Sequence, residues 1–185
     1  MGQLRGMFAG KRVALILEWG FDAEGYASIR SCLESAGARV IVVSSDPWEE
    51  ILDRRGSSAI KPDLSYSEAG PDGFDALMVA DDASARIAKS RPDACALVFE
   101  AVRSLKPVAA IGEGVNLLIC SDVLKGRKIA AKPPLADLIR VSGGMLKDRA
   151  VVIDANIISA KDAKYAGEVC KALADALRGL PAEAA

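Results

Sequence analysis

The sequence predicts an α/β domain in which a mostly parallel sheet lies between two layers of helices. Short apolar runs rich in valine and isoleucine recur along the chain, and segments with the periodicity of amphipathic helices separate them. The runs are apolar at nearly every position, which is typical of strands covered on both faces. A chain of 185 residues is long enough for one such domain with a sizeable core.

The strands and helices alternate along the chain. The predicted strands are 12–17, 39–44, 76–80, 108–111, 151–153 and 157–159. In the first helix Tyr26, Ile29, Leu33 and Ala36 share one face, and Gly37 ends it. The other predicted helices are 83–89, 92–104, 115–123 and 165–177.

Residues 11–178 form the predicted single domain, between tails at 1–10 and 179–185. Prolines, glycines, serines and aspartates at 45–75 predict a surface excursion with a small extra strand or hairpin. This order of elements is that of a flavodoxin-like three-layer α/β/α sandwich. Ligands of such sheets bind at the carboxyl ends of the strands, which directs attention to 18–24, 80–82 and 112–114.

The composition excludes several kinds of site. The chain has no histidine, which removes the most common metal ligand and every triad with an imidazole base. With 24 basic and 25 acidic residues and no clustered basic face, it is not expected to bind nucleic acid. The apolar run at 13–17 stops at Glu18, too early for a membrane span or a signal segment. We expect a soluble, cytoplasmic protein without a membrane partner.

The four cysteines, Cys32, Cys95, Cys120 and Cys170, show no C-x-x-C spacing and have apolar or small neighbours. We expect four buried thiols of a reducing compartment, and neither a disulfide framework nor a zinc site. No cofactor is implied.

Four segments resemble the ThiJ/PfpI family in the same order along the chain. Residues 106–118 read KPVAAIGEGVNLL and precede VLKGRK, where the family pattern is K-P-[IV]-A-A-I-C-H-G-P-x-L-L followed by V-L-x-G-R. FDAEGY at 21–26, FDALMV at 74–79 and VVIDANIIS at 151–159 are similar to three further family segments. The resemblance spans roughly 11–178 and implies a flavodoxin-like, glutamine-amidotransferase-like homodimer with peptidase-like, glyoxalase, deglycase or chaperone activity.

The chain departs from the family pattern where the chemistry would take place. The resemblance places Gly112 at the family's nucleophilic cysteine and Glu113 at its histidine. Ala80-Asp81-Asp82 replaces a P-G-G whose amides form an anion pocket, and Glu24 matches the family's glutamate. Cys120 is no substitute, because it would lie some 12 Å along a helix beyond the turn. The standard thiol mechanism is therefore predicted to be lost.

The predicted pocket is lined by Glu24, Asp81, Asp82, Gly112, Glu113 and Gly114. Gly112 is interpreted as a turn residue that needs positive φ. Glu113 either interacts with the N-terminal dipole of its helix or faces Glu24 as an acid–base pair, whose coupling would raise one pKa. One of Asp81 and Asp82 is an N-cap, or both join a magnesium or calcium site.

Four further residues are interpreted, two of them in two ways. Glu18 and Asp22 flank Trp19 on an exposed loop. Lys132 is a surface lysine or neutralises the acidic cluster through a salt bridge. Trp48 is a dimer or lid contact, or packs locally.

The leading hypothesis is a divergent family member without cysteine-dependent catalysis, a homodimer with a stress-related or small-molecule-binding role. One alternative is a carboxylate-dependent enzyme that uses Glu24 as base and Glu113 as acid on a small carbonyl or amide substrate. The other is a vestigial pocket in a protein with only a structural or interaction role.

Overall fold

A computed structural model describes residues 6–180 of the protein. Its strands are β1 Arg12–Ile16, β2 Arg39–Ser44, β3 Ile51–Leu52, β4 Ala59–Ile60, β5 Leu64–Ser65, β6 Ala76–Val79, β7 Val108–Ile111, β8 Lys128–Ile129, β9 Met145–Leu146, β10 Val151–Asp154 and β11 Ile157–Ala160. Its α-helices are α1 Ala23–Ser35, α2 Asp82–Ala88, α3 Pro92–Arg103, α4 Val115–Cys120, α5 Ala136–Val141 and α6 Ala166–Leu177.

The central sheet has seven strands in the order β10-β11-β7-β6-β1-β2-β5. All neighbours are parallel except β10 and β11, which form an antiparallel hairpin at one edge. From β1 the chain adds β2 and then β5 towards one edge, and it returns to the other side of β1 with β6, so β1 and β6 meet at the topological switch point. The predicted α/β sandwich is confirmed.

The sheet separates two hydrophobic cores. Alternate residues of a strand face opposite layers, so Ala14 and Ile16 lie in the core under α2 to α5, and Val13 and Leu15 lie in the core under α1 and α6. The predicted face of α1 is confirmed, because Tyr26, Ile29 and Leu33 are buried there.

The predicted excursion contains the antiparallel β3–β4 hairpin and then β5, which extends the sheet beside β2. Sequence reasoning missed α5, β8 and β9, which are too short for a clear periodicity. It also extended α4 to residue 123, whereas Asp122 has a φ of 53° and the helix ends before it. Phe8, assigned to the N-terminal tail, is fully buried. The Pro-Ala-Glu-Ala-Ala tail at 181–185 lies outside the described residues.

The expectation of four buried free thiols is wrong. Cys95 on α3 and Cys120 at the exposed end of α4 form a disulfide, with their Cα atoms 5.9 Å apart. The two helices pack side by side, which brings together cysteines 25 residues apart in sequence. This pairing depends on tertiary packing, which the spacing of cysteines does not encode. The argument for a reducing compartment thereby loses its basis.

Among residues 6–180, no helix combines the length and the apolar character that crossing a membrane requires.

Candidate active-site cleft

A cleft of about 430 Å³ lies at the carboxyl ends of the central strands. Asp22 follows β1, Asp81 and Asp82 follow β6, and Gly112 follows β7; all four line it. Lys132, Asp162, Arg54 and Arg86 complete its charged lining, and Tyr26 and Ile29 of α1 contribute an apolar side. A larger groove of about 1140 Å³ runs along β10 and α6, away from these strand ends. The smaller cleft is the candidate site, because ligands of parallel α/β sheets bind at the carboxyl ends of the strands.

Asp81 caps α2, as one of the two sequence interpretations predicts. Its Oδ2 accepts hydrogen bonds from the amide of Ser84 at 2.6 Å and from the Ser84 hydroxyl at 2.7 Å. Its Oδ1 accepts one from the amide of Asp22 at 2.9 Å, which fixes the start of α1 against the start of α2. Both carboxylate oxygens are therefore used by the protein itself.

Asp82 lies against the turn that joins β7 to α4. Its Oδ1 accepts a hydrogen bond from the amide of Glu113 at 2.9 Å. Gly112 has a φ of +58°, and a Cβ built there would lie 2.5 Å from Oδ1 of Asp82. The aspartate therefore occupies the space that a side chain at position 112 would need, and the backbone conformation independently favours glycine. The interpretation of Gly112 as a turn residue with positive φ is confirmed.

Gly114 serves the packing of the same turn. A Cβ there would lie 2.5 Å from the carbonyl oxygen of Val79, so the turn can rest on the end of β6 only with glycine at this position. Gly114 is buried and does not border the cleft described by residues 6–180.

The two glutamates of the predicted acid–base pair have different surroundings. Glu24 is exposed in the first turn of α1. Glu113 is half-buried, and its Oε2 accepts a hydrogen bond from Nδ2 of Asn116 at 2.8 Å. Neither glutamate belongs to the lining of the cleft as residues 6–180 form it, whereas Asp22 does. Sequence reasoning missed Asp22 as a lining residue; its position immediately before the first helix was the available signal.

Lys132 is an exposed lysine that forms a salt bridge, but with Asp162 and not with the acidic cluster of the sequence interpretation. Its Nζ is 3.0 Å from Oδ2 of Asp162. Hydrogen bonding to Asp162 raises the pKa of Lys132, and the charges of Asp82 and Glu113 act in the same direction. The same contact lowers the pKa of Asp162. The pair therefore stays charged over a wide pH range.

The cleft carries both signs of charge. Nη2 of Arg54 lies 3.2 Å from Oδ1 of Asp22, so a second ion pair forms part of the wall. Arg86 also lines the cleft, one turn after Asp82 on α2, and its guanidinium makes no ion pair or hydrogen bond within residues 6–180. Because both signs are present, the lining is suited to a small polar molecule.

Glu18 is not on an exposed loop, contrary to the sequence interpretation. It is only 1% exposed. Its carboxylate accepts hydrogen bonds from the Tyr66 hydroxyl at 2.7 Å, from the Ser45 amide and hydroxyl, and from the Ser44 hydroxyl at 3.2 Å. Burial, reinforced by the Glu18 charge, raises the pKa of Tyr66 well above its usual value, so the phenol stays protonated and donates. Glu18 ties the excursion to the end of β1.

The two tryptophans of these loops are solvent-accessible. Trp48 is 82% exposed, which does not agree with local packing. Trp19, next to Glu18, is about half exposed. A dimer or lid contact by Trp48 stays a prediction.

The aspartates do not form a metal site. Within residues 6–180, no group of three or more histidine, cysteine, aspartate or glutamate side chains could hold a metal ion. The oxygens of Asp81 and Oδ1 of Asp82 already accept hydrogen bonds from the protein, which leaves too few free ligands for the magnesium or calcium site considered from the sequence.

Comparison with known proteins identifies related chains over nearly the whole domain. A model of the DJ-1/PfpI family matches residues 11–176. Protein/nucleic acid deglycase 2 of Escherichia coli is 28% identical over 144 residues, which are 78% of this chain and 84% of that protein.

Solved structures agree with this match. A two-domain protein from Anabaena variabilis with DJ-1/ThiJ/PfpI-like and ferritin-like domains superposes with a TM-score of 0.83 at 25% identity. That superposition covers 94% of this chain and 51% of the longer one, so this chain spans about half of that protein. Drosophila melanogaster DJ-1beta has a TM-score of 0.79 at 22% identity, over 91% of each chain, and shows the same fold.

Proposed function

The chain belongs to the DJ-1/PfpI family, and from this membership and the lining of its cleft we propose a member that binds a small polar molecule without cysteine-dependent catalysis. The proposal treats the cleft at the ends of β1, β6 and β7 as a binding site of mixed charge. The ligand would contact Asp22, Asp82, Arg86 and Lys132.

The observation that carries the proposal is the contact between Asp82 and position 112. A thiol at that position would need the space taken by the Asp82 carboxylate, and the lining within residues 6–180 includes no cysteine. Cys120 is held in a disulfide at the other end of α4. The Glu113 amide, which could polarise a substrate oxygen, already donates to Asp82.

The related Escherichia coli protein is named a deglycase, so catalysis has to be tested directly. We expect no turnover of methylglyoxal, a glycated amine or an unfolded peptide by the wild-type chain. A variant with all four cysteines replaced by alanine is the control. Turnover that disappears in this variant would overturn the proposal. Turnover that persists there but falls in Glu24→Gln, Glu113→Gln or Asp22→Asn would establish the carboxylate-dependent alternative instead.

Binding is tested by thermal shift with amino acids, hydroxy acids and sugar phosphates. A ligand of the cleft should raise the melting temperature of the wild type and not of Arg86→Gln. Arg39→Gln is a matched control, because Arg39 is exposed at the opposite end of the sheet. Equal shifts in both variants would place the ligand elsewhere. No shift with any compound would favour the vestigial-pocket alternative.

The homodimer and the cytoplasmic location are part of the same proposal. Light scattering on the purified chain tests the first, and fractionation of the source cells tests the second. The exposed Trp48 is a candidate contact in such a dimer. Its fluorescence should change on dilution if the dimer dissociates, and a monomer at all concentrations would remove this part of the proposal.

A further inference from the structure

The disulfide between Cys95 and Cys120 is more accessible at one end than at the other. Cys120 is the last residue of α4 and is exposed, whereas Cys95 is half-buried near the start of α3. A small thiol in solution therefore reaches the Cys120 sulfur more readily than the Cys95 sulfur. The two free cysteines, Cys32 and Cys170, lie in the helical layer on the other face of the sheet.

Each sulfur of the disulfide lies within thiol hydrogen-bond distance of a backbone carbonyl. Sγ of Cys120 is 3.3 Å from the carbonyl oxygen of Leu117, and Sγ of Cys95 is 3.7 Å from that of Lys89. Disulfide sulfurs carry no hydrogen, so neither carbonyl accepts a hydrogen bond from sulfur in the cross-linked form. Reduction gives each sulfur a hydrogen to donate to an acceptor that is already nearby. The fold therefore provides for both thiols of the reduced form.

We propose that Cys120 is a thiol-exchange site through which a low-molecular-weight thiol, such as glutathione, opens and closes the cross-link between α3 and α4. Cys95 is the fourth residue of α3, and the N-terminal end of a helix stabilises a thiolate. Cys120 lies at the C-terminal end of α4, which disfavours one. Attack at Cys120 therefore combines the more accessible sulfur with the better leaving group.

The exchange takes two steps. A glutathione thiolate attacks Sγ of Cys120, which breaks the protein disulfide, forms a mixed disulfide at Cys120 and releases the Cys95 thiolate, which is then protonated. A second glutathione thiolate attacks the glutathione sulfur of the mixed disulfide, forms glutathione disulfide and releases the Cys120 thiolate, which is protonated in turn. Two glutathione molecules lose two electrons and two protons, and the protein gains two thiols. Glutathione disulfide drives the same steps in reverse.

Opening the cross-link acts on the helix that follows the cleft turn. α4 has six residues and comes directly after the turn Gly112–Gly114, in which the Glu113 amide donates to Asp82. A helix this short is not stable by itself, so its order depends on its attachments to neighbouring elements. The disulfide to α3 is the covalent attachment. The redox state of this pair is thereby coupled to the order of the cleft turn.

The exchange is tested by peptide mapping of the full-length protein in buffers of reduced and oxidised glutathione, quenched with acid and then alkylated. Trypsin does not cut before Pro92 or Pro107, so Cys95 lies in peptide 90–103 and Cys120 in peptide 104–125. Reduced glutathione should replace the cross-linked species by two alkylated peptides, and glutathione disulfide should restore it. At early times, glutathione should be attached to peptide 104–125 while Cys95 is alkylated.

Two variants test which sulfur reacts. With glutathione disulfide, Cys95→Ala should form a stable adduct at Cys120, and Cys120→Ala should form one at Cys95 more slowly. A wild-type cross-link that persists in excess reduced glutathione under native conditions would overturn the proposal. So would an early adduct on peptide 90–103, or equal rates in the two variants.

Hydrogen exchange tests the coupling to the cleft turn. Amides of residues 112–120 should exchange roughly tenfold to a hundredfold faster in reduced than in oxidised protein, because a loop of 25 residues is no longer closed. Amides of α1, in the other layer, should change less. In the variant with alanine at both 95 and 120, glutathione should have no effect. Equal rates at 112–120 in both redox states, or the same rise throughout α1, would overturn the coupling.

Discussion

Replacement of Gly112 by alanine should destabilise the protein through two separable effects. The first is the backbone, because a left-handed conformation costs a residue with a Cβ about 1–2 kcal/mol. The second is the Asp82 carboxylate, which lies 2.5 Å from the new Cβ and has to move away from the Glu113 amide. Loss of this hydrogen bond at an exposed carboxylate adds about 1–2 kcal/mol. The sum is a loss of about 2–4 kcal/mol in the free energy of unfolding.

The two effects separate in a double-mutant cycle with Asp82→Ala. When the carboxylate is absent, Gly112→Ala should cost only the backbone part, so the coupling energy is about 1–2 kcal/mol. Urea unfolding followed by fluorescence and circular dichroism measures the four free energies, and coincident transitions check the two-state assumption. Additive costs, within about 0.5 kcal/mol, would show that Asp82 does not occupy this space.

Two other glycines provide matched controls. Gly20 has a φ of +78° and nothing within 4 Å of an added Cβ, so Gly20→Ala should show the backbone cost alone. Gly114→Ala would meet the main-chain oxygen of Val79 at 2.5 Å, and removal of the Asp82 side chain cannot relieve that contact. Only the cost of Gly112→Ala should depend on residue 82.

Three further predictions concern stability. Tyr66→Phe removes the hydroxyl that donates to the buried Glu18 carboxylate, so urea unfolding should show a loss of about 1.5–3 kcal/mol in the free energy of unfolding. Tyr26→Phe should show a smaller loss, because the hydrogen bond of its hydroxyl is only partly buried. Hydrogen bonds from the backbone of Ser58, and also of Arg55 and Ser57, lower the pKa of Asp53. The difference in unfolding free energy between wild type and Asp53→Asn should therefore have its full value above pH 3.8 and shrink as the pH falls through the lowered pKa. An undiminished difference in acid would contradict this prediction. Replacement of both Cys95 and Cys120 by alanine opens a loop of 25 residues and should cost roughly 3 kcal/mol, whereas an unchanged unfolding midpoint would argue against the cross-link.

The buried strands could be predicted from the sequence because their apolar runs are long enough to identify on their own. β2 and β7 have the bounds expected from the sequence. The capping role of Asp81 could also be predicted, since an aspartate between a strand and a helix is a common N-cap. Local chemistry determines these features.

The missed features depend on contacts between distant segments. Glu18 looks like the polar end of an apolar run, and only the return of Tyr66 from 48 residues away covers it. The Cys95–Cys120 pair likewise requires α3 and α4 to pack together. At the cleft, sequence reasoning selected Glu24, although the wall position belongs to Asp22 at the end of the preceding loop. Glu24 lies on the exposed face of α1, whereas Gly25, Tyr26 and Ile29 of the same helix line the cleft.

The hydrogen bond from the Glu113 amide to Asp82 also determines which ligands can compete at that end of the cleft. The carboxylate acts as a tethered anion, with an effective concentration on the order of millimolar or more. A free carboxylate or phosphate must exceed that concentration to displace it. A ligand that approaches with an ammonium or hydroxyl group can instead donate to the second oxygen of Asp82 without displacing the aspartate. This end of the cleft therefore selects hydrogen-bond donors over anions.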